Sequence, residues 1–203
     1  MTTAQEKRVS ASARLLHIAS AVRTHVPVMA SRDGTYFEAA VALILRETRD
    51  NDVELLFIER AARADDPWSG QIAFPGGRFD VTDESLEDTV VRETREEVGL
   101  ELHRDGIVIG PLDEARPRIQ ILPPVIVRPF VATIGADAAP RVSDEVAGFF
   151  WAPLDAILDP ANTRDTEIVV RGEPMVRPAI HFGAYSIWGM TEHIIRSFEN
   201  IIR

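Results

Sequence analysis

The sequence predicts a single domain of layered α/β or α+β type. Strand-like apolar runs alternate with two or three helical stretches, which is the pattern of sheets covered by helices. The 203 residues are about one domain's length, enough to bury a sizeable core without disulfides. No Pro-, Gly- or Ser-rich linker, internal repeat or low-complexity tract divides them.

Residues 8–23 read as an amphipathic helix, with Leu15, Leu16, Ile18, Ala19 and Val22 at helical spacing. Ser31-Arg32-Asp33-Gly34 signals a turn. Ala39–Leu45 and Val53–Ile58 follow as a strand pair, with a polar loop over residues 47–52 between them. Residues 67–77 are loop-like around the short apolar piece Ile72-Ala73-Phe74. Residues 85–98 are the strongest helix. Ser85 suits its N-cap, Asp88 answers at N3, and Gly99 suits the left-handed position past its end. Strands are expected at 107–109, 125–134 and 146–151. A short helix at 153–158 and a hairpin of 167–170 with 175–180 come next. A closing helix is expected over 187–202, with Trp151 and Trp188 in the core.

Composition narrows the function. There are 32 acids against 22 bases, a net charge of −10. Such a chain repels nucleic acid and anionic membrane, so neither is an expected partner. It contains no cysteine, which excludes disulfides, thiolate zinc sites, iron–sulfur clusters and cysteine nucleophiles. A reducing cytoplasm fits that composition. No apolar run approaches the ~18 residues of a membrane span, and the charged first thirty residues do not read as a signal peptide. Paired zinc-ligand histidines, a serine-hydrolase elbow, a phosphate-cradling P-loop and a dinucleotide fingerprint are all missing.

The chemistry concentrates in the helix at 85–98. Leu86, Val90, Thr94 and Val98 form its core face. At about 100° per residue, Glu93, Glu96 and Glu97 form a carboxylate stripe within roughly 100° beside that face. Like charges three and four residues apart repel, and the C-terminal turns of a helix disfavour anions. Arg92 is placed to pair with Glu96. A divalent cation would relieve the remaining conflict, and hard carboxylate ligands select Mg²⁺ or Mn²⁺ over zinc.

Residues 92–100 read Arg-Glu-Thr-Arg-Glu-Glu-Val-Gly-Leu, with Glu84 eight residues before Arg92. This resembles the Nudix box. Two departures are Arg78, where the box has glycine (Gly77 lies one residue further away), and Thr94 at a usually aliphatic position. The string from Phe74 to Ser85, Phe-Pro-Gly-Gly-Arg-Phe-Asp-Val-Thr-Asp-Glu-Ser, is similar to the coenzyme A pyrophosphatase branch of the Nudix hydrolases. So are Asp144-Glu145-Val146, Phe150-Trp151-Ala152-Pro153-Leu154 and the tail from Tyr185 to Thr191. The basic element typical of that branch is replaced by Asp65-Asp66-Pro67-Trp68-Ser69-Gly70.

The resemblance implies an α/β/α Nudix sandwich with a mixed central sheet at residues 31–203, preceded by a helical extension at 1–30. It implies Mg²⁺- or Mn²⁺-dependent cleavage of a diphosphate linkage in a nucleoside diphosphate derivative, a small-molecule substrate. Coenzyme A or its thioesters lead, followed by ADP-ribose, nucleotide sugars and nucleoside triphosphates. Glu93, Glu96 and Glu97 are the implied metal ligands, with the Gly77 carbonyl beside them. Glu84 and Arg92 are the implied pair that fixes helix to loop. Glu96, Glu97 and Glu145 are alternative bases. Arg60 and Arg63 are candidate phosphate contacts, and Trp68 is a candidate stacking surface. A homodimer is compatible with the family. The alternative from another class is a nucleotide sensor without turnover, against which the retained carboxylates argue.

Overall fold

The computed structural model describes residues 12–62, 70–117, 124–170 and 172–203. Helix α1 (Ala13–Thr24) opens them, and the Ser12 side chain accepts a hydrogen bond from the Leu15 N–H as its cap. Strands β1 (Phe37–Glu47) and β2 (Val53–Arg60) then pair antiparallel. The short strands β3 (Ile72–Ala73) and β4 (Gly76–Arg78) lead into α2 (Leu86–Val98) and the single turn α3 (Leu102–Asp105). Strands β5 (Gly106–Pro111), β6 (Val125–Ile134) and β7 (Val146–Pro153) precede the short α4 (Leu154–Leu158). Strands β8 (Thr163–Val170), β9 (Glu173–Phe182) and β10 (Tyr185–Trp188) and the helix α5 (Met190–Ile202) complete the order.

The central sheet runs β3-β2-β1-β6-β5, with β4 on β1 and β7 on β2. It is mixed because β1 and β6 run parallel, from Phe37 opposite Val125 to Arg46 opposite Ile134, while the other pairs are antiparallel. A second, antiparallel sheet has the order β10-β9-β8. The unbroken apolar runs of β1 and β2 follow from burial on both faces. Leu43, Leu45, Leu55 and Phe57 face one core, which they share with Ile18 and Val22 of α1 and Ile194, Ile195 and Phe198 of α5. The alternate residues Ala42, Ile44, Leu56 and Ile58 face the other, shared with Leu86, Val90 and Val98 of α2. This is an α/β sandwich with a helical layer on each face of a mixed sheet.

Strand β1 is shared by three partners. Its first half pairs with β4 and its last residues with β2, while β6 runs along its whole length. The closing helix starts later than its apolar spacing suggests. Ile187 is buried in β10, paired with Ile180, and Gly189 separates that strand from α5. A strand residue packed on the helix it precedes mimics helical periodicity. Trp151 is half-buried, with the Arg46 guanidinium 4.0 Å from its ring centroid, and Trp188 is half-buried in β10. No helix among the described residues is long and apolar enough to cross a membrane.

Candidate active site

Helix α2 positions the carboxylates. The Ser85 hydroxyl accepts from the Asp88 N–H at its start, and Gly99, at φ +66°, ends it in the left-handed region. Its buried face comprises Leu86, Thr89, Val90, Thr94, Glu97 and Val98. Thr94 fills an apolar place, and its buried hydroxyl has no hydrogen-bond partner among the described residues.

Glu97 lies at the bottom of the site, 4% exposed. Its Oε2 accepts from the Gly76 N–H at 2.8 Å, and Arg60 Nη1 stands 4.0 Å from its Oε1. Burial pushes its carboxyl up to about 7; the Gly76 N–H and Arg60 oppose that, while Glu93 and Glu145 add to it. Glu93 is half-buried one helical turn earlier. Burial raises its carboxyl too, against the hydrogen bond and charge of Arg92, with Glu96 and Glu145 pushing further upward.

The two glycines of β4 make room for these groups. A Cβ on Gly76 would lie 2.2 Å from the Ala40 carbonyl oxygen, and its φ is +151°. A Cβ on Gly77 would lie 2.3 Å from the Glu93 carboxylate carbon. Glycine at 76 lets β4 lie close on β1, and glycine at 77 leaves room for the Glu93 carboxylate. Glu145 arrives from the turn before β7. That turn is tied to α2 by the Ser143 N–H to the Glu97 carbonyl, and to the end of β2 by the Ala61 N–H to the Glu145 carbonyl, both at 3.0 Å.

Arg92 organises the rim. Its Nε and Nη2 donate to the two oxygens of Asp83, each at 2.9 Å. Nη2 also reaches the Arg78 carbonyl at 3.1 Å, and Nη1 reaches Glu93 at 2.9 Å and Glu96 at 3.0 Å. These partners hold the guanidinium's pKa above its ordinary value. The hydrogen bond from Arg92 holds Asp83 well below the usual carboxylate range, against the pull of burial.

This corrects the expected pair. The acid that fixes Arg92 is Asp83, not Glu84. Glu84 is exposed immediately before the N-cap, outside the helix. Asp83 also accepts from Thr89 Oγ1 and the Asp80 N–H, so the longer loop closes on Asp83.

Glu93, Glu97, Glu145, Arg60, Gly76 and Gly77 line one cavity of about 500 Å³. Glu96 does not line it. Its side chain is 51% exposed beside Arg92 and Arg95, because position 96 turns away from Glu93 in the opposite sense to position 97. Among the described residues, no three acid or imidazole side chains already converge as a metal cage. Arg63 and Trp68 lie outside the described residues.

Sequence reasoning missed Asp83, Arg78 and the cavity's apolar wall. Asp83 stands nine residues before Arg92, the displacement an extra loop residue would produce. The wall is built by Phe37, Ala39, Val41, Val125 and Val127, which only the parallel β1–β6 register brings together.

Residues 36–171 match the NUDIX domain family. An uncharacterized Nudix hydrolase named NudL from Cronobacter sakazakii is 36% identical over 162 residues, covering 76% of this chain and 78% of the relative. The NudL of Citrobacter koseri is 35% identical over 167 residues, covering 78% and 79%. The crystal structure of a MutT/nudix family protein from Enterococcus faecalis superposes with a TM-score of 0.58 at 18% identity. That match covers 85% of this chain and 64% of the other, and at this identity it speaks for the fold alone.

Proposed function

The chain belongs to the Nudix family of hydrolases, and on that premise we propose that its cavity hydrolyses the diphosphate linkage of a nucleoside diphosphate derivative with the help of Mg²⁺ or Mn²⁺. The observation that carries this is the crowding of Glu93, Glu97 and Glu145 around one cavity. The burial and mutual repulsion that raise Glu93 and Glu97 are what a divalent cation would relieve. Glu93 and Glu97 would hold the ion, with Glu145 opposite and Glu96 reaching it only by leaving Arg92. The Gly77 backbone, against Glu93, is within the same region. Bound there, a divalent cation supplies charge neutralisation at the diphosphate and a more acidic water.

The chain's own groups supply the rest. Arg92 and Asp83 hold the loop 78–83 against α2, so the carboxylates are positioned before substrate arrives. Glu97, buried at the bottom of the cavity, would accept a proton from an attacking water where the cation leaves one of its oxygens free. Glu145 is the alternative base, on a turn anchored to both α2 and β2. Arg60 adds positive charge beside Glu97 for phosphate oxygens. Most of the rate enhancement would then be positioning and electrostatics, as in other phosphoryl transfers.

For the substrate, coenzyme A or an acyl thioester leads. The similarity of residues 74–85 and 185–191 to that branch supports it. ADP-ribose, nucleotide sugars and nucleoside triphosphates are the competing readings.

The test is a product-resolved hydrolysis panel with Mg²⁺ or Mn²⁺, with Glu97→Gln as control. Release of 4′-phosphopantetheine and 3′,5′-ADP by the parent, lost in the variant, is the expected result. Cleavage of another diphosphate would replace the substrate and keep the chemistry. Absence of turnover on every diphosphate, with tight metal-independent nucleotide binding, would replace the enzyme with a sensor.

A further inference from the structure

The tail from Tyr185 to Thr191 is one of the strings singled out in the sequence, yet the carboxylate machinery makes no use of it. It leads into the cavity. Met190, Thr191 and Ile194, all in the first two turns of α5, line the same cavity as Gly76, Glu93 and Glu97. Met190 and Ile194 are four residues apart, so one face of the helix presents both. Gly189, at φ +70°, makes the turn from β10 into the helix.

The start of this helix lacks local support. Its N-cap is Gly189, which has no side chain to accept from the first-turn N–H groups. Such a turn opens easily unless tertiary contacts hold it. Thr191 supplies the hold. It is buried, and its Oγ1 donates to the Ile72 carbonyl at 3.0 Å. Ile72 lies in β3, four residues before Gly76, whose N–H holds Glu97. The segment from Ile72 to Gly76 is thus pinned at each end by a side chain, Thr191 of α5 at one and Glu97 of α2 at the other. The helical layers on the two faces of the sheet meet at the cavity through this segment.

We propose that Thr191 is a positioning residue for substrate. By tying the first turn of α5 to β3, it holds Met190 and Ile194 as a wall for the part of the substrate beyond the diphosphate. The inference rests on the hydrolase reading of this cavity. It adds to the site an element outside residues 36–171, the segment that matches the family. Thr191 acts on binding and not on bond cleavage, because Gly76 keeps its own ladder on Val41 and the carboxylates are carried by α2 and the turn before β7. Without the hydroxyl, a substrate must itself order the first turn, and that cost lowers affinity.

Steady-state hydrolysis of coenzyme A and of ADP-ribose in Mg²⁺ would compare the parent with Thr191→Val and Thr191→Ser. Calorimetry would titrate AMP into each, free of turnover. Valine keeps the shape and removes the donor; serine keeps the donor. In Thr191→Val, KM should rise about three- to tenfold, the worth of one net hydrogen bond, and AMP should bind more weakly by a similar factor. Its kcat should stay within about twofold, and Thr191→Ser should stay within about twofold of the parent throughout. Exchange of the His193 N–H, bonded to the Gly189 carbonyl at 3.0 Å, should quicken in Thr191→Val and not in Thr191→Ser. Met190→Ala keeps the bond and removes part of the wall, so it should raise KM even if Thr191→Val fails to fold. A KM and AMP affinity unmoved in Thr191→Val overturn the proposal. So does a loss shared equally by Thr191→Ser, a loss confined to kcat, or a Met190→Ala that matches the parent. Weaker AMP binding in Thr191→Val, restored in Thr191→Ser, with no diphosphate hydrolysed by the parent, would keep the positioning role and remove the hydrolase reading. Hydrolysis with KM unmoved would do the reverse, and a parent that neither cleaves nor binds any of the three ligands would remove both.

Discussion

Replacing Glu97 with glutamine should make the protein more stable at alkaline pH and leave it unchanged in acid. The native fold keeps this carboxyl protonated up to about 7, whereas an unfolded chain releases the proton near 4.5. Between those values the folded state binds more protons than the unfolded state, so the parent's stability falls as pH rises. The fall is complete above about pH 7. A displacement of that size corresponds to about 3 kcal/mol. Glutamine does not titrate, and its carbonyl can still accept from the Gly76 N–H. At pH 8, in a metal chelator, Glu97→Gln should therefore unfold roughly 6 to 12 °C above the parent, and at pH 4.5 the two should coincide. Calorimetry at the two pH values measures the difference. Mg²⁺ at pH 8 should raise the parent's midpoint and leave that of Glu97→Gln nearly unmoved. An equal gain at both pH values would refute the reasoning, because the effect would then be packing and not charge. A loss at pH 8 would show that Glu97 is well accommodated as an anion.

Three further outcomes follow from the geometry. Gly76→Ala would drive a Cβ to within 2.2 Å of the Ala40 carbonyl oxygen at an unfavourable φ, and urea unfolding should show a loss of about 3 kcal/mol or more. Asp83→Ala should lose about 2 kcal/mol near neutral pH by stripping Arg92 of its bidentate partner, while Glu84→Ala stays within about 0.5 kcal/mol. The Asp83 contribution is present above about pH 4 and fades as pH falls toward its depressed native pKa, so chemical denaturation at pH 7 and pH 2.5 separates the two variants. Thr94→Val replaces a buried, unpartnered hydroxyl with a methyl of the same shape and should gain about 1 kcal/mol, read as a raised thermal midpoint with turnover retained.

The elements that local chemistry specifies were legible in the sequence. Helix α2 carries its own cap, periodicity and terminal glycine, and it begins and ends where these place it. The strands β1, β2 and β6 announce themselves by apolar runs too short for buried helices. What escaped depends on partners distant in the chain. Ile187 fits a helical pattern until Ile180 claims it across a hairpin. Asp83 and Glu84 differ by one position and not in charge, so only the path of the loop decides which meets Arg92. Of the carboxylate stripe, the order of exposure was hidden: Glu97 is buried by the Gly76 strand, and Glu96 is drawn outward by Arg92. Arg78 read as a departure from a motif, and its place over Phe37 appears only when β4 is laid on β1.

The three-way sharing of β1 also bears on the order in which this protein comes into being. Its hairpin with β2 closes locally, on the microsecond scale typical of such turns. The wall opposite the carboxylates cannot form until β6 has been made and has found β1 in parallel register, a long-range pairing of the slow kind. A nascent or partly folded chain would therefore carry the acidic helix before it carries the apolar wall that faces it. Strand β1, made well before β6, is among the last to have all its neighbours, and until then its second edge is open to other chains.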